Sequence, residues 1–358
     1  MFSRSSPSNR PANPMTVTLS QPAPCQQKLQ ISVSGAAVQP VRDVVVHEFQ
    51  KEAVIAGFRK GKAPRELIER QFTEQIREET LRRLTRQTFE QVTEERKLKP
   101  VGPFEVLKLE FDEQKGLDLE AQVEVEPEFK LADYRGIPVT RQPVAIAPEE
   151  IEKALEQLRE SSAQLVPTAG EQKETRLPNL DEEFAKDVGF ENLEQLRGHL
   201  EAKLREHKQT QTRQHLEQAA CDALLSRHQF DVPPRLVARQ AERLTRDFQV
   251  RLMLSGMVEE QAKQELAKYT EQLKTNAVRH VKLSFILDRL AEGEKLAVTQ
   301  DELVDRLWKL ARRWGKDPVE VRKWLDAQGL WPSVVASIRQ DKAVSRLLDL
   351  AKIEDANP

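Results

Sequence analysis

From Lys28 to Ser34 polar and apolar residues alternate, placing Leu29, Ile31 and Val33 on one face, the period of a half-buried strand. Pro40 suits a first helical turn, and Val41, Val45 and Phe49 follow at spacings of four beside Val44 and Ala53. This predicts an amphipathic helix ending at Gly57. A second helical pattern starts after Pro64 with Ile68, Phe72 and Ile76, continues through Leu81, Leu84, Thr88 and Val92, and stops at Lys97-Leu98-Lys99-Pro100, about eight turns in all. Phe104 to Phe111 and Leu117 to Val125 read as two more strands. The second alternates through Leu119, Ala121 and Val123, whereas the first changes phase at Val106-Leu107, as a β-bulge would. Together these elements make a small α+β domain over residues 25–126.

Pro127, Pro138, Pro143 and Pro148 punctuate residues 127–148, which read as an extended linker. A helix from Glu149 to Ala163 carries Ile151, Leu155 and Leu158 on one face. After a break holding Pro167, Gly170 and Pro178, helical periods follow without a strand pattern: Leu193, Leu196, Leu200 and Leu204, then Leu236, Val237, Leu244, Phe248 and Leu252, then Leu266, Tyr269 and Leu273. Asp231-Val232-Pro233-Pro234 separates two of these helices. Thr299-Gln300-Asp301-Glu302 has the T-x-x-E form of a capping box. The expected fold is an α+β amino-terminal domain followed by an elongated all-α carboxy-terminal domain, residues 149–358. Residues 1–24, rich in Ser, Pro and Asn, read as a disordered tail; Pro7, Pro11 and Pro14 oppose a transit-peptide helix there.

Composition supports an extended, helix-rich molecule. Charged residues make up 32% and AVILMFWYC 39% of the chain, against about 25% and 45–50% (with Gly) in ordinary domains. The 56 Lys and Arg nearly cancel the 58 Asp and Glu, a net charge of -2, so an anionic partner must be met by a local patch. Cys25 and Cys221 stand far apart and outside any C-x-x-C spacing, which points to a reducing, cytoplasmic setting without structural zinc. No run of 18 apolar residues predicts a membrane span. His199, His207 and His215 recur every eight residues, whereas metal pairs on a helix need three or four, so no metal is expected. The chain offers no Gly-rich phosphate loop after a strand and no G-x-S-x-G, so neither a cofactor nor a catalytic residue is expected. Trp308, Trp314, Trp324 and Trp331 lie among Leu303, Leu307 and Leu310 and read as core.

The informative chemistry lies between the first two helices, in Gly57-Phe58-Arg59-Lys60-Gly61-Lys62-Ala63-Pro64. Arg59, Lys60, Lys62 and Arg65 crowd four cations into seven residues, facing a helix N-terminus that prefers acids by about 0.3–1 kcal/mol per charge. Two glycines allow a tight turn and close approach to a partner, and Phe58 adds an apolar or stacking contact. On charge alone, a solvated basic turn is the simpler account. The segment, however, resembles the G-F-R-x-G-x-x-P signature of bacterial trigger factors, matched at Gly57, Phe58, Arg59, Gly61 and Pro64. The order of elements and the Asp231-Val232-Pro233-Pro234 break are similar to that family too.

The resemblance implies a cytoplasmic chaperone that docks on the large ribosomal subunit near the exit tunnel, on ribosomal protein and rRNA, and shields apolar nascent chains. It assigns docking to Gly57, Phe58, Arg59, Lys60, Gly61, Lys62 and Pro64, with neither membrane nor DNA as partner. Such chaperones usually carry an FKBP-like prolyl isomerase domain between linker and helical body. Only residues 164–176 occupy that place, and a domain below about 40 residues rarely folds unaided. No isomerase activity is therefore expected. The alternatives are a prolyl isomerase by family membership and a helical RNA-binding or scaffold protein. Met15-Thr16-Val17-Thr18-Leu19 resembles the strand-forming start of the family, which makes Met15 a candidate initiator.

Overall fold

The computed structural model describes residues 15–162, 164–167, 173–176 and 179–356. In chain order the elements are β1 (Met15–Ala23), β2 (Gln26–Ser34), α1 (Gly35–Glu52), α2 (Arg65–Gln71), α3 (Thr73–Glu95), β3 (Glu105–Asp112) and β4 (Gly116–Glu124). There follow β5 (Pro138–Arg141), α4 (Pro148–Ser161), β6 (Gln164–Pro167), β7 (Lys173–Arg176), α5 (Glu182–Asp187) and α6 (Leu193–Ser226). The chain ends with α7 (Pro234–Leu254), α8 (Glu259–Gly293), α9 (Gln300–Trp314), α10 (Pro318–Gln328), α11 (Trp331–Asp349) and β8 (Lys352–Asp355). It divides into two compact units, one of residues up to 130 with 229–285, the other of 131–228 with 286 onward.

In the first unit the strands form an antiparallel sheet in the order β1-β2-β4-β3. The alternation of β2 sets its apolar layer: Val17, Ile31 and Leu119 lie side by side across three strands, as do Met15, Val33 and Leu117. Val38 of α1 and Leu84 and Val92 of α3 close over that face. Pairing passes from Val106–Ala121 to Lys108–Glu120, so Leu107 is the extra residue of the expected bulge.

Three expectations change here. The tail of residues 1–24 is corrected, because Met15–Ala23 is strand β1. Thr16 and Thr18 alternate with Val17 and Leu19, a period hidden by Pro22 and Pro24; residues 1–14 lie outside the described residues. The first helix starts at Gly35 and holds Pro40 inside it, where the ring removes the donor for the Ala36 carbonyl. The second helix breaks at Phe72, whose ring turns inward to Phe49 at 5.7 Å, while the Thr73 hydroxyl donates to the Glu69 carbonyl at 2.7 Å.

The helical body expected as one domain over residues 149–358 divides, since residues 229–285 belong with the α+β part. Their anchorage begins at Glu124, at the end of β4 and 5% exposed. Pro233 and Pro234 supply no backbone donors, so the first free N–H groups of α7 are those of Arg235 and Leu236. The Glu124 carboxylate accepts both, at 2.7 and 3.2 Å. Nearby the Cys25 thiol donates to the Asp231 carbonyl at 3.2 Å, and Phe129 stacks on Phe230 with centroids 4.2 Å apart. Beyond this base α7 has no buried residue, and Leu254 at its end is 82% exposed.

In the second unit the supposed linker of residues 127–148 is partly strand. β5 pairs in parallel with β8, Gly136 N–H donates to Leu350 O at 2.8 Å, and Ile137 is fully buried. Tyr134 Oη donates to Glu294 Oε1 at 2.6 Å. Strand content after residue 149 also exceeds the expectation, with β6 and β7 antiparallel. Leu155, Phe184 and Leu196 join α4, α5 and α6, while Ala311, Val321 and Leu325 join α9 and α10. The Thr299–Glu302 capping box forms reciprocally, at 2.8 and 3.3 Å. The tryptophan expectation is overturned for three residues: Trp308, Trp314 and Trp324 are 52%, 42% and 47% exposed. Leu307, Leu310 and Ala311 fill the inner face of α9, and only Trp331 joins their cluster.

Replacing Glu124 by Ala leaves two N–H groups at the α7 start unsatisfied beside a buried strand end. We expect a loss of about 1–3 kcal/mol in urea unfolding, with Glu124→Gln losing less because one acceptor oxygen remains.

Candidate functional site

Residues 53–64 connect α1 to α2 and are held at two points. Ile55 and Ala63 are buried with Val45, Val46, Ile68 and Ile76, fixing both ends of the loop on apolar side chains of α1, α2 and α3. Gln50 of α1 adds a bond from Nε2 to the Ala63 carbonyl at 2.7 Å. Between the anchors the backbone makes two tight turns, closed by Phe58 N–H to Ile55 O at 3.1 Å and Lys62 N–H to Arg59 O at 2.9 Å. Gly57 and Gly61 stand at φ 86 and 79, where a side chain is strained although a Cβ would meet only open space or ordinary contact. Pro64 then caps α2, its carbonyl accepting from Leu67 and Ile68 at 3.1 and 3.2 Å.

The turns push the motif outward. Phe58 is 42% exposed, and Arg59, Lys60 and Lys62 are exposed with no ion pair or side-chain hydrogen bond among the described residues. Arg65, counted with them from the sequence, does not join them. Its guanidinium bonds Asp43 and, at 2.8 Å, Glu69. Those hydrogen bonds raise the Arg65 pKa further and, with Arg42, hold the Glu69 carboxyl below its ordinary range. Arg65 thus ties α2 to α1, leaving three free cations around one exposed aromatic ring. Such a surface fits a partner offering phosphate or carboxylate beside an apolar patch.

The remaining candidates do not assemble into a site. His199 packs its ring on Phe190 at 4.9 Å, and His207 bonds Gln211 at 2.9 Å one turn along α6. A groove of about 540 Å³ along α3 is lined by Phe89 and Phe104 with Arg82, Arg86, Glu90 and Glu94; Arg86 pairs with Glu90 at 2.9 Å and Arg82 with Glu79 at 2.7 Å. What sequence periodicity missed is exposed apolar surface: Val250, Met253, Leu254, Met257 and Val258 crowd the turn between α7 and α8. The stripe periodicity marked on α7, Leu236, Val237, Leu244, Phe248 and Leu252, is half-buried, and the exposed residues lie off it.

Two profiles of one family match this chain. Residues 15–158 fit that described as bacterial trigger factor protein, and residues 192–349 fit that described as its C-terminus, together well over half of the chain. Among curated relatives, the trigger factor of Pelobacter propionicus is 25% identical over 432 residues, covering 96% of this chain and 98% of its own length. That of a Geobacillus species is 25% identical over 415 residues, covering 91% and 96%. Both alignments are longer than the 358 residues of this chain, so each relative has residues with no counterpart here. A solved structure of a trigger factor chaperone, studied for promiscuous substrate recognition in folding and assembly, superposes with a TM-score of 0.47 at 19% identity, covering 93% of this chain and 99% of that one. On the two profile matches and these full-length relatives, the chain belongs to the bacterial trigger factor family of chaperones.

Proposed function

We propose that this chaperone docks on the large ribosomal subunit beside the nascent-chain exit through Gly57, Phe58, Arg59, Lys60, Gly61, Lys62 and Pro64, and acts in the cytoplasm. The observation that carries this is the loop itself. Three unpaired cations and an exposed Phe58 are presented by a turn whose ends are fixed in a buried cluster. Ribosomal RNA supplies phosphates and ribosomal protein supplies acidic and apolar side chains, and a loop ordered before binding loses less conformational entropy on docking. Shielding of unfolded segments falls to apolar surface such as the α7–α8 turn, where burial of a client's side chains yields about 25 cal/mol per Å². Ordering the flexible client offsets much of that gain, so contacts are weak and tolerant of sequence.

We also propose that the chain works without prolyl isomerase catalysis. The matched spans leave only residues 159–191 between them, shorter than the roughly 40 residues that fold unaided. The longer alignments to the relatives are consistent with additional sequence on their side.

The docking test is co-sedimentation with bacterial ribosomes. Replacing Phe58, Arg59 and Lys60 together by Ala is expected to leave the protein in the supernatant at low salt while its urea midpoint stays put, since all three are exposed. Ile55→Ala is expected to lose about 2–4 kcal/mol of stability instead. Added salt should weaken pelleting of the wild type by screening. Pelleting of a folded triple variant at the wild-type level would defeat the assignment.

The full chain, not a carboxy-terminal fragment, is the object for the chaperone test, because residues 229–285 belong with the amino-terminal part. It is expected to suppress aggregation of a denatured client, and to do so less well with Met253, Leu254 and Val258 changed to Ser. A proline peptide should convert at its uncatalysed rate in the same preparation; acceleration by the pure protein would refute the non-catalytic reading.

A further inference from the structure

A second basic and aromatic surface lies on α9, α10 and their connecting turn. Residues 308–324 hold Lys309, Arg312, Arg313, Lys316, Arg322 and Lys323 against two acids, Asp317 and Glu320, in a chain whose net charge is -2. Asp317 is already engaged, its carboxylate accepting Val319 N–H at 2.7 Å to cap α10. All six cations are exposed, and no ion pair or side-chain hydrogen bond engages any of them among the described residues. The macrodipole of α9 accounts for Arg312 and Arg313 in its last turn. It does not account for the four others. Interleaved with them are the three exposed indoles. Trp314 and Trp324 meet edge to face with centroids 5.4 Å apart and are 42% and 47% exposed, so part of each ring remains accessible to a flat ligand.

We propose that this surface binds single-stranded RNA, its cations pairing with phosphates and Trp308, Trp314 and Trp324 stacking on unpaired bases. Free cations alone would suit any polyanion, but exposed indoles among them favour a partner that carries flat aromatic groups on an anionic backbone. Polyglutamate matches the charge without those groups, and a mixed acidic polypeptide carries them only sporadically, whereas single-stranded RNA has one on every anionic unit. Duplex nucleic acid keeps its bases stacked, whereas RNA loops and single strands display them. A lipid surface would need a broad apolar helix face to insert, yet Leu307, Leu310 and Ala311 pack with Val321 and Leu325, and besides the indoles only Val304 and Val319 are exposed apolar residues here. The site goes beyond the docking loop and does not depend on it.

The test uses the full chain and a fluorescein-labelled oligouridylate of roughly ten nucleotides. Binding should raise anisotropy and quench tryptophan fluorescence, because three of the four indoles are exposed in this surface. Changing Arg312, Arg313 and Lys316 together to Gln should weaken binding at least about tenfold and lower the salt slope by roughly 0.7 for each phosphate no longer neutralised. Trp314→Leu with Trp324→Leu should weaken it comparably; where that variant unfolds, the Gln variant decides. The Phe58, Arg59 and Lys60 alanine variant should bind the RNA as the wild type does, which separates this site from ribosome docking. Equal affinity in the folded Gln variant, binding without quenching, or displacement by polyglutamate of equal charge would each overturn the proposal.

Discussion

The Glu124 carboxylate at the start of α7 is the contact on which the long-range organisation of the first unit rests. A carboxylate only 5% exposed is unfavourable unless its oxygens are bonded, and a helix opening after Pro233-Pro234 leaves the N–H groups of Arg235 and Leu236 without intrahelical acceptors. Each solves the other's problem: strand end and helix start must meet, although 111 residues separate Glu124 from Arg235. The ion pair of Arg235 with Glu105 and the stacking of Phe129 on Phe230 reinforce the same base. α7 has no fully buried residue, and beyond these basal contacts its apolar stripe is only half-buried, with Phe248 edge-on to Tyr269 at 5.3 Å. Apolar side chains at its far end can therefore stay in water without loss of the fold, a condition that a surface for unfolded chains requires.

The basic loop obeys a related logic at smaller scale. Ile55 and Ala63 give the turn its fixed ends, and Gly57 and Gly61 give it a backbone that other residues adopt only with strain. Between them Arg59, Lys60 and Lys62 make no ion pair or side-chain hydrogen bond among the described residues. Arg65 marks the boundary: one residue past Pro64, it is consumed by Asp43 and Glu69. Neighbouring cations of one sequence run are thus divided between internal pairing and exposure to solvent.

Much of this was legible in the sequence where the signal is local. The β2 and β4 alternation, the bulge at Leu107, the capping box at Thr299 and the loop motif each depend on residues within a few positions of one another. What escaped depends on distant partners. Met15–Leu19 looks strand-forming on its own, but the run on to Ala23 past Pro22 follows from pairing with β2; β5 is a strand because β8 lies beside it, more than 200 positions on. The break at Phe72 follows from the room Phe49 offers, which no periodicity records. The exposed tryptophans were misread because a 3.6-residue period marks a face approximately, and Leu307, Leu310 and Ala311 already fill the interior that Trp308 was expected to share.

Charge pairing separates two small basic regions from many of the helical arginines. Elsewhere on the helices, arginines reach carboxylates readily: Arg83 takes Glu48 and Glu79, Arg42 takes Glu69 and Glu113, and Arg346 takes Glu294. With acids slightly outnumbering bases, partners are abundant. Yet the loop at residues 59–62 and the α9–α10 surface keep theirs bare. An exposed ion pair contributes only about 0–1 kcal/mol, so omitting one at each of these positions changes stability little. Folding therefore places almost no constraint on those side chains, which leaves cations beside an exposed aromatic ring free in both places for the anionic partners proposed above.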